Sequence, residues 1–383
     1  MTHRLRLEMA ERLRDSHPQL DIRVVCDTLP EGERGSLRSA QRAWAAVGAD
    51  ATHHLVLQDD VRLTKGFLAA ARSLTEHRPD GVTSLFVEWG AWTGGVARIA
   101  ALTGAGWAEV VDNYVPTQAV IMPAGTARAV SEYFAEALRG DEPDDVALRG
   151  YLASTGTVPH VSVPNLVEHR DVSSLTGNHH HGMRCATCWS SGAPLPGVDL
   201  RRSVTGVDAV PAMAWWGEPG AYFRLRDPLA AEGWRKVRAV EVLGGLGFSE
   251  GDLRGMGRQA LRGEPGAERG RSLLGEHLLF ELWLAAFSLG LRAAAVGASL
   301  DARVSPAAAM STPVARRALA TMALGAVRNL VPRRLYSTAA AVLTPIVRGA
   351  VRLGLDVRAA DERAADERVV EGRAADGRTA EGR

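Results

Sequence analysis

The hydrophobic and polar positions in the first half of the chain follow helix spacing and strand spacing in turn. Leu5, Met9 and Leu13 recur every fourth residue, and the β-branched run that ends at Asp27 is typical of a buried strand. We predict helices over 3–16, 36–47, 67–74, 125–138 and 145–153, and strands over 22–26, 54–57, 82–87, 119–122 and 158–163. Alternating elements of this length predict an α/β fold with a mainly parallel sheet flanked by helices.

The start of this pattern leaves little room for a strand before the first predicted helix. The first strand of an α/β domain would normally lie there. Two interpretations stay open: the natural chain starts further upstream, or the sheet lacks that strand.

The pattern changes at about residue 182. Residues 184–220 are rich in Gly, Pro and Trp and have little periodicity, whereas 237–246 predicts a strand and a turn. A strongly apolar run over 273–294 predicts a core helix.

The last part of the chain is compositionally biased. Residues 314–355 are rich in Ala and hold seven Arg and no acid, and 358–383 repeat an Ala-Ala-Asp theme that is typical of disorder. We therefore predict three parts: an α/β domain over 1–180, a partly helical accessory region over 181–355 and a disordered tail over 356–383.

Composition narrows the class of protein. The chain has 383 residues, 46% of them hydrophobic, and a formal net charge of +1, which gives no basis for general nucleic-acid binding. Three cysteines fit a reducing compartment better than a disulfide framework. The charged N-terminus does not resemble a signal peptide, and no run of about 18 uncharged apolar residues predicts a membrane span. These features predict a cytoplasmic protein.

Two adjacent carboxylates follow the strand predicted over 54–57. In open α/β sheets, ligands bind at the carboxyl ends of strands, and the paired acids Asp59 and Asp60 would repel each other unless a cation neutralised them. Carboxylate oxygens suit Mg²⁺ or Mn²⁺, which in turn bind a diphosphate. The alternative is a strand end with two solvated acids that cap the next turn.

The surroundings of these acids resemble GT-A glycosyltransferases, most closely the family of lipooligosaccharide and procollagen sugar transferases and related family-2-like enzymes. In that family a G-C-x-x-S-H segment leads through a helix to a strand that ends in E-D-D-V. Gly35 and Ser39 match the first segment, and Gln58-Asp-Asp-Val61 matches the strand end. Ser36, Ala40 and Gln58 replace the Cys, the His and the first acid of the family pattern.

This resemblance implies a GT-A-like, Rossmann-like fold and a nucleotide-sugar donor. It implies Mn²⁺ or Mg²⁺ held by Asp60 with help from Asp59, and donor contacts from Ser39, Gln58 and Asp59. Asp27, at the end of a predicted strand, is placed as the acid that meets the nucleoside, and Thr2 borders the same nucleotide. An ordinary strand-end Asp in a turn is the alternative for Asp27.

A second acidic segment, Asp141-Glu-Pro-Asp-Asp145, precedes the helix predicted over 145–153. It resembles the segment in which such enzymes hold the acceptor and, in inverting enzymes, the catalytic base. Asp145 or Asp144 would take the acceptor proton as the sugar–phosphate bond breaks. Stabilisation of a helix N-terminus by these acids is the alternative. Residues 114–118 are expected to border the acceptor pocket or to form a loop with a buried Tyr114.

The segment Pro164-Asn-Leu-Val-Glu-His169, followed by Ser173-Ser-Leu175, resembles the strand end that closes the GT-A domain. A histidine there can complete the metal shell, so we expect His169 to join Asp60 on the ion. The alternative is a hydrogen-bonding histidine without a metal.

Two other features have competing interpretations. Cys185 and Cys188, preceded by His179–His181, are expected to be incidental residues of a loop, with a structural zinc site as the alternative. The arginines over 314–355 either form a solvated face or contact an anionic membrane surface peripherally.

The sequence therefore predicts a metal-dependent glycosyltransferase that moves a sugar to a hydroxyl acceptor, which is a glycan, a lipid-linked molecule or a small molecule. A nucleotidyltransferase is one alternative, although the phosphate loop usual after its first strand is missing. A non-catalytic sugar-binding or nucleotide-binding scaffold is the other.

Overall fold

The computed structural model of the chain describes residues 1–27, 36–137, 142–172, 182–190, 197–214, 217–230, 232–300 and 306–380, with only the backbone of 306–307 and 359–380. Its strands are β1 Thr2–His3, β2 Cys26–Asp27, β3 His53–Leu57, β4 Val61–Leu63, β5 Thr83–Ser84, β6 Ala105–Glu109, β7 Ala119–Pro123, β8 His160–Ser162, β9 Val167–His169, β10 Asp199–Val204, β11 Ala209–Ala214, β12 Gly220–Arg226 and β13 Trp234–Arg238. Its helices are α1 Leu7–Asp15, α2 Ser36–Ala45, α3 Phe67–His77, α4 Trp92–Thr103, α5 Ala124–Ala137, α6 Asp144–Ser154, α7 Ala239–Gly244, α8 Glu250–Arg262, α9 Ala267–Ser299, α10 Pro306–Ser311, α11 Pro313–Gly325 and α12 Tyr336–Ala380.

The central sheet has the strand order β10-β6-β8-β5-β7-β3 in the described part of the chain. The protein is a mixed α/β protein, as predicted, but the sheet is not mainly parallel. Within the described residues two neighbouring pairs are parallel and three are antiparallel. The direction of two neighbouring strands depends on the strand order and on the path of the chain between them. The alternation of strands and helices along the sequence does not determine either, which explains the error.

Helices cover both faces of this sheet. Side chains of β7 alternate: Val120 and Met122 pack among residues of α2, α5 and α6, whereas Ile121 packs among residues of α1 and α3. This alternation follows from the two-residue repeat of a strand, which sends successive side chains to opposite faces. Both faces of β7 are therefore buried, which accounts for its uninterrupted apolar sequence.

Several predicted strands are shorter in the structure than in the sequence pattern. The strands predicted over 22–26, 82–87 and 158–163 are reduced to β2, β5 and β8, which have two or three residues each. A strand does precede the first helix: β1 pairs in parallel with β2, with Thr2 opposite Cys26. This pair is a separate two-stranded sheet, so among the described residues the six-stranded sheet has no strand from before the first helix, and both interpretations stay open.

The second half adds a three-stranded antiparallel sheet, β11-β12-β13, and a set of packed helices. The apolar run over 273–294 lies within α9, as predicted, and Glu281 of α9 accepts a hydrogen bond from the backbone of Ala221 at 2.7 Å. The turn predicted to follow β13 is the helix α7. Where α9 crosses α12, Gly290 and Gly354 allow the two backbones to meet.

The two halves share one hydrophobic core. A single cluster of buried side chains includes Val96 of α4, Val210 of β11, Leu282 of α9 and Leu343 of α12. Strand β10 pairs with β6, so the central sheet extends beyond the boundary placed at residue 180. The disorder predicted for 356–383 stays a prediction, although the backbone of α12 continues as a helix to Ala380.

Two helices in the described residues are long and apolar enough to cross a membrane by length and composition. They are Ala267–Ser299 and Arg333–Arg358, and 78% of the apolar window of the first is buried inside the protein. Burial against neighbouring elements is the usual condition of a core helix.

Candidate functional site

The paired acids Asp59 and Asp60 lie directly after β3 and are almost fully buried, with exposures of 7% and 5%. The Oγ1 hydroxyl of Thr2 donates to Oδ2 of Asp59 at 2.6 Å. Nη1 of Arg6 lies 3.2 Å from Oδ1 of Asp59 and 2.8 Å from Oδ2 of Asp60. The alternative of two solvated acids is therefore wrong, because both carboxylates face protein groups.

Strand pairing brings His169 to these acids from a distant part of the sequence. Strand β4 pairs antiparallel with β9, which sets Val61 opposite His169, and the backbone N–H of Arg170 donates to the carbonyl of Asp60 at 2.7 Å. Nε2 of His169 consequently lies 3.4 Å from Oδ2 of Asp60. The expected proximity of His169 and Asp60 is confirmed, whereas their role as metal ligands stays a prediction.

Arg184 reaches the same histidine from the segment that follows the predicted domain boundary. Its Nη2 lies 3.1 Å from Nε2 of His169. A guanidinium only donates hydrogen bonds, so the contact with Arg184 is a hydrogen bond in the tautomer that has the lone pair on Nε2. In the other tautomer Nε2 donates to Oδ2 of Asp60 instead. Arg184 and Asp60 therefore compete for the same ring nitrogen.

The charges around Asp60 favour its ionised form. Burial alone would raise the pKa of Asp60, but the contact with His169 and the charges of Arg6 and Arg184 outweigh it, so the pKa lies below its usual value. Oδ1 of Asp60 and Nδ1 of His169 are buried and have no hydrogen-bond partner among the described residues. The site therefore holds an ionised carboxylate with one uncommitted oxygen.

The donor set fits a divalent ion that substrate oxygens complete. Among the described residues, no group of three or more His, Cys, Asp or Glu side chains is arranged to hold a metal. Mg²⁺ typically needs only one or two carboxylates, because waters and substrate phosphates supply its other ligands. Oδ1 of Asp60 and Nε2 of His169 are an oxygen atom and a nitrogen atom that would suit such an ion as ligands. Both oxygens of Asp59 already accept hydrogen bonds, which suits an orienting role for this acid.

Asp144 and Asp145 of the second acidic segment lie in the first turn of α6. Pro143 is the N-cap, so neither acid caps the helix with its side chain, and Oδ1 of Asp145 accepts from the N–H of Val146 at 2.9 Å. Burial and then the charge of Asp144 raise the pKa of Asp145 to about 6, although the charge of Arg184 opposes this shift. A carboxylate with a pKa of about 6 is suited to general-base catalysis near neutral pH.

Asp144 is more deeply placed than Asp145. Burial raises the pKa of Asp144, although hydrogen bonds with Thr117 and Ser36 act in the opposite direction. Thr117 also accepts a hydrogen bond from the side-chain amide of Gln58 at 3.3 Å. Gln58 and Asp144 thus share a partner, which joins the strand end that carries Asp59 to the start of α6.

Of the remaining predicted residues, Asp27 lies near the strand end that carries Asp59, and Ser39 lies within α2. Asp27 is opposite His3 in the β1–β2 pair, next to Thr2, and Nη2 of Arg38 lies 3.4 Å from its Oδ1. Ser39 is buried within α2. Gly35, Asp141, Ser173–Leu175 and His179–His181, which also entered the sequence interpretation, lie outside the described residues.

Tyr114 lies close to the acidic segment. Burial and then the negative charges of Asp112, Glu88 and Asp145 raise its pKa well above the usual value. Its hydroxyl therefore stays protonated and is available as a hydrogen-bond donor.

The cysteines of the second half have free thiols. Cys188 is buried and its Sγ lies 3.6 Å from Oδ1 of Asn165. Burial raises the pKa of both Cys185 and Cys188 to about 12, so without a metal ion both thiols stay protonated. The zinc alternative stays a prediction, because His179–His181 lie outside the described residues. The same segment carries Arg184, which contacts His169.

Sequence reasoning missed two functional candidates, Arg6 and Arg184. The spacing of the apolar residues near the start gave the helix but no reason to select Arg6. Arg184 lies in a segment without periodicity, where only the neighbouring cysteines resemble a motif. A long-range contact determines the importance of each arginine, and no local pattern encodes such a contact.

Comparison of the chain with protein-family models, curated proteins and solved structures found no match.

Proposed function

We propose that this protein is a glycosyltransferase that moves a sugar from a nucleotide-diphosphate sugar to a hydroxyl acceptor, with a divalent metal as cofactor. The observation that carries the proposal is the convergence of Asp60 and His169, 3.4 Å apart, with a buried and uncommitted oxygen on Asp60. A GT-A-like organisation of the α/β part belongs to the same proposal.

On the donor side, Asp60 and His169 would hold Mn²⁺ or Mg²⁺. The ion, when bound, supplies charge stabilisation for the leaving diphosphate. Asp59 keeps the strand end in place through Thr2 and Arg6, and Arg6 adds positive charge beside the same acids. Asp27, Ser39, Gln58 and Thr2 border the nucleotide.

On the acceptor side, Asp145 takes the proton of the acceptor hydroxyl as the bond between sugar and phosphate breaks, if the reaction inverts the sugar. Asp144 assists because its charge contributes to the raised pKa of Asp145. If the reaction retains configuration, Asp145 orients the acceptor instead. Tyr114 donates a hydrogen bond in the same pocket.

The proposed location is the cytoplasm, with peripheral membrane contact through 314–355. Arg316, Arg334 and Arg352 are exposed and would face anionic lipid headgroups. Such contact would suit a lipid-linked acceptor, while a glycan or a small molecule would need no membrane. No nucleic-acid partner is proposed, because the net charge is only +1.

Thermal unfolding with a panel of UDP-sugars and GDP-sugars, with and without Mn²⁺, tests the proposal. We expect a nucleotide sugar to raise the unfolding temperature only when Mn²⁺ is present. The Asp60→Asn variant should lose this shift, whereas Asp50→Asn, a change of an exposed acid, should keep it. Release of nucleoside diphosphate from the selected donor then measures turnover.

The same experiment separates an enzyme from a scaffold. A scaffold would bind a nucleotide sugar without releasing the diphosphate. The substitution Asp145→Asn would then leave the binding of the nucleotide sugar unchanged. The proposal is wrong if no nucleotide sugar raises the unfolding temperature of the parent protein. It is also wrong if the unfolding temperature of Asp60→Asn rises as much as that of the parent.

A further inference from the structure

The segment that carries Arg184 is held firmly against the α/β part. The backbone N–H of Trp89 donates to the carbonyl of Cys185 at 2.8 Å, and the N–H of Ala186 donates to Oε1 of Glu168 at 2.6 Å. The indole N–H of Trp89 donates to the carbonyl of Met183 at 3.0 Å. The backbone on both sides of Arg184 is therefore fixed, while its side chain is half-buried and ends at His169.

The contact between Arg184 and His169 uses the atom that a metal would need. Nη2 of Arg184 lies 3.1 Å from Nε2 of His169, and the nitrogen has one lone pair in the plane of the ring. That lone pair accepts a hydrogen bond from a guanidinium or binds a metal ion, but it does not do both at once. Arg184 and a divalent ion consequently exclude each other at Nε2.

The charge of Arg184 also acts on the two carboxylates that the proposed reaction uses. It acts on Asp60, on the metal side, and on Asp145, on the acceptor side. A guanidinium that leaves Nε2 therefore stays within electrostatic range of both acids. Guanidinium groups match phosphate oxygens in a bidentate geometry.

We propose that Arg184 alternates between two partners: Nε2 of His169 and the diphosphate of the donor. This inference rests on the proposed function. A divalent ion held by His169 would take the lone pair that Arg184 contacts, and the guanidinium of Arg184 would then be free to bind the diphosphate. Arg184 thereby couples the two ligands, so that each strengthens the binding of the other.

The coupling predicts opposite effects of one substitution on two ligands. In Arg184→Gln, Mn²⁺ alone should bind about 2-fold to 10-fold more tightly, because a competing hydrogen bond of ordinary strength is lost. The nucleoside diphosphate, measured at saturating Mn²⁺, should bind about 10-fold or more weakly, because a charge-assisted hydrogen bond is lost. Arg184→Lys keeps the charge but not the planar guanidinium group. Its affinities for Mn²⁺ and for the diphosphate should lie between those of the parent and those of Arg184→Gln.

Calorimetric titrations provide both readouts without any turnover. Mn²⁺ is titrated alone, and then UDP, GDP, ADP, CDP and TDP are each titrated at saturating Mn²⁺ to select the tightest ligand. Arg62→Gln is the matched control, because Arg62 is an exposed arginine on β4 that stacks over Trp189 at 4.6 Å. This control should change neither affinity by more than about 2-fold, which corresponds to a surface effect within about 0.5 kcal/mol.

The outcomes distinguish this inference from the proposed function. A parent protein that binds no nucleoside diphosphate with Mn²⁺ overturns both. A parent that binds both ligands, with Arg184→Gln weakening both or changing neither, overturns the coupling role of Arg184 alone. If Arg184→Gln does not fold, Arg184→Lys provides the same comparison, and an unchanged diphosphate affinity in that variant overturns the inference.

Discussion

Asp144 directly precedes Asp145 in the first turn of α6, and its charge helps to raise the pKa of Asp145 to about 6. Burial is the larger cause, so Asp145 is a carboxylic acid whose charged form is poorly solvated. The pair provides one carboxyl group that titrates close to neutral pH. Such a group is suited to the proton transfer proposed for Asp145, whereas stabilisation of a helix end requires only a carboxylate of ordinary pKa.

The pH dependence of transfer should report Asp145. A base accepts a proton only when it is ionised, so kcat/KM should fall about tenfold per pH unit below about pH 6 and level off above it. Asp144→Asn removes the neighbouring negative charge and should move the midpoint to lower pH. A profile with no acid limb near pH 6, or a midpoint that Asp144→Asn leaves in place, contradicts the assignment of Asp145 as the base.

Asp145→Asn should stabilise the protein while it removes activity. The folded-state pKa of Asp145 is raised from 3.8 to about 6, so the folded state loses stability as the pH rises through this window. Above pH 6 the ionised group costs on the order of 3 kcal/mol, since one pKa unit corresponds to about 1.4 kcal/mol. Urea unfolding at pH 7.5 should therefore show a gain of about 1–3 kcal/mol for the variant. At pH 4 the gain should vanish, and the exposed control Asp50→Asn should show no gain at either pH.

A buried ion pair joins the α/β part to the helices. Arg328 is fully buried and pairs with Glu88, which is 17% exposed on its side chain. Glu88→Gln leaves the charge of Arg328 buried without its carboxylate, so we expect a loss of about 3 kcal/mol in the free energy of unfolding. The exposed pair of Glu8 and Arg12 is the control, and Glu8→Gln should cost less than about 1 kcal/mol. Equal losses for the two variants would show that Arg328 finds another neutralising group.

The crossing of α9 and α12 should not tolerate a side chain at Gly290. A Cβ at this position would meet the carbonyl of Val351 and would lie 3.0 Å from Cα of Gly354, so both helix backbones would have to separate. We expect Gly290→Ala to cost about 1–3 kcal/mol of unfolding free energy. Gly255→Ala, in the middle of α8 with open space around it, should instead stabilise by about 0.5–1 kcal/mol. A stabilised Gly290→Ala variant would mean that the two helices are not packed backbone to backbone.

The local pattern of apolar residues predicted where most helices and strands lie. Long-range contacts determine the order and direction of the strands. The apolar run before Asp59 and the apolar run within α9 each encode their own structure, because burial of one face is a local property of the sequence. The direction of the strands depends on which strand lies beside which, and the periodicity of β7 is the same in either direction. For that reason the mixed sheet could not be predicted.

The candidate site also contains residues that the sequence predicted and residues that only the structure identifies. Asp60 was predicted because it follows a recognisable strand, and His169 because its segment resembles a strand end of GT-A enzymes. The register of β4 and β9 places the two residues together. Arg6 and Arg184 gain their importance only from the acids and the histidine that they contact. Arginines are common at protein surfaces, and the neighbouring sequence does not indicate which of them will contact a buried site.

Strand β9 is held from two sides, by β4 and by arginines of the helical region. Nη2 of Arg317 lies 3.5 Å from Oε2 of Glu168, and Nη2 of Arg333 donates to Oδ1 of Asp171 at 3.0 Å. A recombinant fragment that stopped at residue 180 would keep Asp60 and His169 but lose these counter-charges. It would also uncover the backbone of β6, whose bare hydrogen-bonding groups are a template for pairing with a second molecule. Such a fragment would aggregate rather than report on the chemistry of the intact chain.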